Sequence, residues 1–384
     1  MAEAFSFYSA AHLLFGESVR HRAPECAALA GMKRPCIVSD AFLLGCDFGR
    51  ELTASLPAAA VFSQVLTNPT IASADACAQF CRAQGCDGLI ALGGGSAIDT
   101  AKAAAVAFAG GSAADFLDGR GEAKRPVPAD CLPVIAIPTT SGTGSEVSQY
   151  AVLTDPATRR KDSISSERIY PVYALVDPEV TWQLPAALTV STGLDVLSHA
   201  LESITSTISN PLTDLLALEA IRIVFEWLPR CGGPQNTEAR SQMAYASSLA
   251  GLAMSHCCGT LPHGMGCPLS GHCGVPHGLA VGVLQVPALR LIAVPCRAQL
   301  ERVARCLDPA FCAQTDTAAA DYLIARIGAL FDALHCRKDL RDYHITDQQI
   351  EAMVPDAMAH GCTGLTPVPV SAGTVAQIYH SLQG

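Results

Sequence analysis

Nowhere does the chain carry the roughly eighteen consecutive apolar residues that a membrane-spanning helix requires, so no bilayer insertion is expected. Basic runs are also missing. With 35 acidic against 25 basic residues the formal net charge is -10, which argues against nucleic acid or an anionic membrane surface as a partner. The N-terminal stretch MAEAFSFYSAAHLLFG has no basic segment leading into a long apolar run and a cleavage site. No export signal is therefore expected, and the cytoplasm is the expected compartment. The seventeen cysteines include no CxxC pair. In a chain of this size without an export signal they read mostly as small buried apolar residues, not as a disulfide framework. Aromatics (6%) and charged residues (16%) are scarce beside 50% apolar residues, so cores of closely packed small side chains are expected.

A length of 384 residues suits two domains. The first half alternates short β-rich runs with helical stretches. RPCIVSD (34–40), AAAVFSQV (58–65), GLIALGG (88–94), PVIAIPTT (133–140) and YALVDP (173–178) read as buried strands. SADACAQFCRAQG (73–85) and SAIDTAKAAAVAFAG (96–110) read as helices between them. That order predicts an α/β domain with a parallel sheet, ligands gathering at the carboxyl ends of its strands. After about Pro185 the pattern is helical almost throughout. The expected division is an α/β dinucleotide-binding domain over 1–182 and an all-helical, metal-binding domain over 183–384. The cleft between two such domains is the default place for an active site.

Two stretches suit phosphate. Leu89–Ser96 runs from strand into a Gly93-Gly94-Gly95 turn that opens a helix, where glycines admit a phosphate closely and free N–H groups face it. Ser96 is a candidate N-cap, with Asp99 three residues on as its partner. The run is neither a Rossmann fingerprint, because Ile98 occupies the sixth position, nor a Walker loop. By itself, a triple glycine is equally well a structural turn. The second stretch, Pro138–Glu146, also follows an apolar strand and offers Thr139, Thr140, Thr143, Ser145 and two glycines in one loop. Two such loops in one sheet favour a diphosphate-bearing cofactor. Asp40 closes another strand, where a carboxylate either reads a ribose diol or caps the next helix.

Asp195 and His199 stand four apart in a helical pattern and so share a face. Such a pair alone is more often a surface pair or a satisfied polar pair in a core. His263 and His277 lie in what reads as a His-rich loop, LPHGMGCPLSGHCGVPHG, each preceded by Pro and followed by Gly, residues that suit backbone positioning better than packing. One carboxylate and three imidazoles suit a divalent ion such as Fe(II), with Zn(II), Mn(II) or Co(II) as alternatives. An ion there would act as a Lewis acid on an alcohol or aldehyde oxygen, with a nicotinamide cofactor exchanging the hydride.

Together these motifs resemble the iron-containing (group III) alcohol dehydrogenase family. The resemblance is carried by ALVDP (174–178), Leu184-Pro185, TGLD (192–195), HALE (199–202) and PHG (276–278) with His263 fourteen residues before His277. GGGSAIDTAK (93–102), PTTSGTGSEVS (138–148), AVLTD (151–155) and Lys161 add the cofactor-binding part. It covers about residues 5–290; the last 90 residues match only in being helical. The resemblance implies a dehydroquinate-synthase-like fold, a plausible homodimer, and Asp195, His199, His263 and His277 as metal ligands. It also implies Gly94, Gly95 and Ser96 at the pyrophosphate and Thr139 and Thr140 at the nucleotide. Asp40 becomes a ribose reader favouring NAD(H) over NADP(H), with Asn68 near the adenosine end and Lys161 near the nicotinamide ribose. One departure stands out: Cys267 occupies a position where the family usually has a histidine near substrate. Cys267, as a pocket wall, and the nearby His272 are the candidate catalytic positions.

The expected function is a metal-dependent NAD(H)-linked alcohol dehydrogenase or aldehyde reductase acting on a small molecule. The alternatives are a reductase of an acidic small aldehyde bearing a carboxylate, sulfonate or phosphonate, a metal-free maleylacetate-type reductase and, from another class, a metal-dependent hydrolase.

Overall fold

The computed structural model describes residues 4–232 and 236–383. Tyr8–Leu184 form one compact unit, and the described residues from Pro185 onward together with residues 4–7 form another. The strands described are β1 (His12–Phe15), β2 (Pro35–Val38), β3 (Ala60–Phe62), β4 (Gly88–Gly93), β5 (Val134–Pro138), β6 (Tyr150–Asp155), β7 (Arg160–Ser165) and β8 (Tyr173–Val176). Between them lie α1 (Ala23–Leu29), α2 (Ala41–Gly45), α3 (Asp47–Ser55), α4 (Ile71–Gln84) and α5 (Gly95–Phe108).

Six strands form a parallel sheet in the order β1-β8-β5-β4-β2-β3. All five runs expected as strands are found in it. The apolar continuity of β4 and β5 follows from burial on both faces, the signature of parallel strands covered by helices. Successive residues serve opposite faces. Leu89 and Ala91 of β4 join the core on the side of α4 and α5, while Ile90 and Leu92 join the core that includes Ala23 and Ala27 of α1 and Leu52 of α3. Two features were not anticipated from sequence. β1 is a four-residue edge strand, too short for a periodic signal. β6 and β7 form a separate antiparallel ribbon whose second strand, RKDSIS, is largely polar.

From β2 the chain places β3 on one side and β4, β5 and β8 on the other. The order therefore reverses between β2 and β4, and a crevice opens at the carboxyl ends of such neighbours. Asp40 follows β2, Gly93 ends β4 with Gly94 and Gly95 opening α5, and Thr139 follows β5 at that same edge.

Among its described residues the second unit contains only helices as regular structure: α6 (Ala186–Thr205), α7 (Pro211–Trp227), α8 (Thr237–Cys257), α9 (Leu261–Cys273), α10 (His277–Ile292), α11 (Arg297–Leu307), α12 (Ala318–Ala333), α13 (Asp347–Ala359) and α14 (Ala372–Leu382), with short 3-10 turns. Their inward faces build one continuous apolar core. The segment read as a His-rich loop is a correction: it is helix α9, a short connection, and the start of α10. Pro262 falls in the first turn, where its missing N–H costs nothing. The glycines and Pro268 are poor helix formers, yet Leu261–Ser270 are all buried, and tertiary packing overrides propensity there.

Candidate metal centre and nucleotide cradle

Asp195 and His199 project from one face of α6, His263 from the first turn of α9, and His277 is the first residue of α10. The Nε2 atoms of His263, His277 and His199 lie 3.6, 3.7 and 3.8 Å from the same atom, Asp195 Oδ1. These distances are too long for hydrogen bonds. Donor atoms around a tetrahedral ion at about 2.1 Å stand roughly 3.4 Å apart, close to the spacing seen. Donor atoms of Asp195, His263 and His277 lie within 4.8 Å of one another, and His199 joins them through Asp195. Asp195 Oδ1 and His263 Nε2 are buried without a hydrogen bond. Buried polar atoms without such partners are expensive, so the donor set fits a divalent cation.

The electrostatics agree. Burial alone would raise the Asp195 pKa, but the imidazoles of His199, His277 and His263 hold it well below the usual carboxylate range. Glu202, one turn beyond His199 and 1% exposed, was not identified as functional from sequence. Its Oε1 lies 2.7 Å from His263 Nδ1 and accepts from Gln285 Nε2 at 3.0 Å, while its Oε2 accepts from Thr260 N at 2.6 Å. A carboxylate on Nδ1 fixes the ring orientation and leaves Nε2 directed at Asp195. The HALE motif held the signal, since a glutamate on the buried face of an apolar helix needs a polar partner.

The glycines beside the histidines work through packing, contrary to the expectation that they mainly set backbone conformation. A Cβ at Gly278 would lie 1.7 Å from Ser191 O of α6, and one at Gly264 would lie 2.0 Å from Thr363 Oγ1. Their absence lets α10 approach α6 closely enough to bring His277 towards Asp195.

Cys267 is buried on α9, and its thiol is within hydrogen-bonding reach of His360. Burial lowers the pKa of His360, but Cys267 and Cys258 together oppose this and the net shift is upward. His272 turns elsewhere, its Nε2 2.9 Å from Asp356 Oδ2 on α13. The imidazole beside Cys267 is thus His360, which lies 93 positions away and carried no local sequence signal.

In the first unit, Gly94 rather than Ser96 is the N-cap of α5, with no side-chain cap; this corrects the expected Ser96–Asp99 capping pair. Asp99 instead accepts from Ser145 Oγ at 2.6 Å and Val152 N at 3.1 Å. A Cβ at Gly94 would meet Thr140 Oγ1 at 3.0 Å, and one at Gly95 would meet Thr143 Cγ2 at 2.8 Å. The two glycine-bearing loops therefore lie against each other, with the Thr140 and Thr143 hydroxyls beside the α5 amino terminus, donors of the kind an anion cradle uses. Lys102 stabilises this arrangement from below. Fully buried, it donates to the carbonyls of Ser145, Ser148 and Tyr150 at 2.6, 2.8 and 2.9 Å. Burial pulls its pKa down to about 8 against the opposing charges of Asp99 and Glu146.

Asp40 caps α2, its Oδ1 accepting from Leu43 N at 2.9 Å. Asn68 and Lys161, expected at opposite ends of a dinucleotide, hydrogen-bond to each other at 2.9 Å. An extended dinucleotide separates its two ribosyl ends by far more than that, so the two residues do not mark opposite ends of one.

A parallel-sheet unit with a phosphate-type cradle and a helical unit with a buried Asp/His donor set together define a metal- and nucleotide-dependent oxidoreductase class. The chain belongs to the iron-containing alcohol dehydrogenase family: residues 10–178 match the pattern described as iron-containing alcohol dehydrogenase, and residues 189–383 match the C-terminal part of the same family. The likeness therefore also includes the last 90 residues, beyond the range recognised from motifs. The chain is 31% identical to alcohol dehydrogenase 4 of Schizosaccharomyces pombe, with 98% of this chain and 88% of that one covered. It is 32% identical to the NAD-dependent methanol dehydrogenase of Bacillus methanolicus, covering 91% and 92%. Among solved structures it is similar to the sulfoacetaldehyde reductase of Bifidobacterium kashiwanohense in complex with NAD+, with 32% identity, a TM-score of 0.89 and 99% of each chain covered. The expected class, an alcohol dehydrogenase or aldehyde reductase, stands, and the metal-free and hydrolytic alternatives are not favoured.

Replacing Lys102 by Met strands three buried carbonyls and leaves Asp99 without its cation. The expected cost is about 3–5 kcal/mol in urea unfolding. A loss under about 1 kcal/mol would mean that the second loop keeps its shape without the ammonium.

Proposed function

We propose that this chain reversibly oxidises a small alcohol with NAD(H), using a divalent ion of the Fe(II) type held by Asp195, His199, His263 and His277. The observation that carries the proposal is the convergence of three Nε2 atoms on one oxygen of Asp195 at 3.6–3.8 Å. When bound, the ion supplies Lewis acidity to an alcohol or carbonyl oxygen. The rest falls to the chain's own groups. Asp195 contributes negative charge to the centre, and Glu202 keeps the His263 ring oriented with Nε2 inward. Cys267 walls the pocket, with the His360 imidazole beside it.

For the cofactor, Gly94, Gly95 and Ser96 at the α5 amino terminus bind the pyrophosphate, and Thr139, Thr140, Thr143 and Ser145 line the facing loop. Asp99 acts by holding Ser145 in place. Asp40, at the carboxyl end of β2, disfavours a 2′-phosphate and so selects NAD over NADP. Residues 1–182 are then the dinucleotide-binding domain and 183–384 the metal-binding domain. A homodimer is supported by edge strand β1, which leaves Leu13 38% and Phe15 41% exposed. The cytoplasm is the proposed compartment, since seventeen free thiols suit a reducing environment.

NADH oxidation by the anaerobically purified protein against short aldehydes tests the central proposal. Turnover should vanish on complete metal removal and return with Fe(II), and His277→Ala should lose at least about 100-fold in kcat/KM, roughly 2.7 kcal/mol, with NADH affinity unchanged. Turnover that survives complete chelation overturns the metal mechanism. Glu202→Gln should weaken metal binding about 10- to 100-fold, read from metal content after dialysis against a chelator series; unchanged retention would make Glu202 a packing residue. Light scattering should give twice the chain mass, and a single-chain mass would overturn the homodimer.

A further inference from the structure

Four cysteines meet inside the first unit, remote in sequence from the Asp195 centre. α4 carries Cys77 and Cys81 one turn apart on its buried face. The helix ends at Gly85, whose φ of 64° is the left-handed conformation of a C-terminal cap, and Cys86 N then donates to Cys81 O at 2.9 Å. That turn folds Cys86 back beside Cys81. Cys36 comes from β2, where it pairs with Leu89 of β4. Exposure is 0% for Cys36 and Cys77, 1% for Cys81 and 4% for Cys86. The sulfur atoms of Cys36, Cys81 and Cys86 lie within 4.8 Å of one another. Cys77 is hydrogen-bonded to Cys81 as well.

We propose that Cys36, Cys81 and Cys86, with Cys77 as fourth donor, form a structural binding site for a zinc-type divalent cation. Four sulfurs at about 2.3 Å from a tetrahedral ion stand roughly 3.8 Å apart, within the span of the cluster. Four protein donors with almost no solvent access suit a structural ion, because a catalytic one keeps an open position. Thiols bind as thiolates, so each coordinating cysteine releases its proton to solvent on loading. Arg82 and Arg34 stand near the cluster and oppose the negative charge that thiolates would bring. Cys36 precedes the carboxyl end of β2, and Cys86 lies just before β4. The cluster therefore sits toward the amino-terminal edge of the sheet, away from the glycine cradle.

The test uses the full chain produced in cobalt-supplemented culture and purified reduced and anaerobic. Bound cobalt per chain and near-ultraviolet sulfur-to-cobalt charge-transfer absorption are both measured. The wild type should show the charge-transfer band, which the oxygen and nitrogen donors of the Asp195 centre cannot produce. Cys81→Ala and Cys36→Ser should each lose the band and one cobalt equivalent, while Cys26→Ala and Cys267→Ala keep both. Circular dichroism checks folding of every variant, and retained NADH oxidation that of the Cys26, Cys36 and Cys81 variants; if either cluster variant fails to fold, Cys86→Ser at the rim carries the same comparison. A wild type without the band overturns the site, as does a band that survives the cluster variants or disappears in Cys267→Ala. Failure of the Asp195 centre would lower total cobalt yet leave the charge-transfer band, so the two sites are judged separately.

Discussion

A carboxylate that is 3% exposed in the interior of a helical unit must be compensated, and the arrangement around Asp195 is organised by that requirement. Three imidazoles face one of its oxygens at distances too long for hydrogen bonds and suited to a shared cation. Supplying them takes three helices. α6 provides one histidine by simple helical spacing, while α9 and α10 must approach α6 closely to provide the others. The close approach explains Gly278, since any side chain there would overlap the α6 backbone at Ser191. Glu202 extends the same network by holding one ring from behind and is satisfied in turn by Thr260 and Gln285.

The α/β unit deals with a buried charge of opposite sign. Lys102 binds the carbonyls of Ser145, Ser148 and Tyr150, which fixes the loop after β5 against the loop after β4. The strand-order reversal between β2 and β4 supplies the crevice, and the lysine shapes one of its walls. In both units a charge that is costly to bury secures a geometry that apolar packing alone would leave loose. The cysteine cluster follows another logic, in which a helix end and a strand bring small buried thiols from distant parts of the chain within reach of one another.

Much of this was legible along the chain. Continuous apolar runs marked β2, β4, β5 and β8 because strands buried on both faces need no alternation. The change to helical periodicity after Pro185 marked the second unit. Asp195 and His199 were readable as a pair because four residues make about one turn. The short edge strand β1 and the polar ribbon strand β7 were not, since neither has the length or contrast to produce a pattern. The stretch around His263 looked like a loop because glycine and proline are poor helix formers, and only packing on every side makes α9 helical.

Residue type and local spacing by themselves determined the two-part architecture, the glycine-rich turns at strand ends and the identity of the four candidate donors. These are near-neighbour properties, set by helical and strand periods and by the conformations that glycine and proline allow. Only the tertiary structure decided that Glu202 serves His263, that His360 rather than His272 stands by Cys267, that Lys102 braces the second loop, and that Cys36 joins Cys81 and Cys86. Each of these contacts joins groups from different elements, separated by 43 to 93 positions. Such proximity is created by the packing of elements against one another and leaves no periodic trace in the chain.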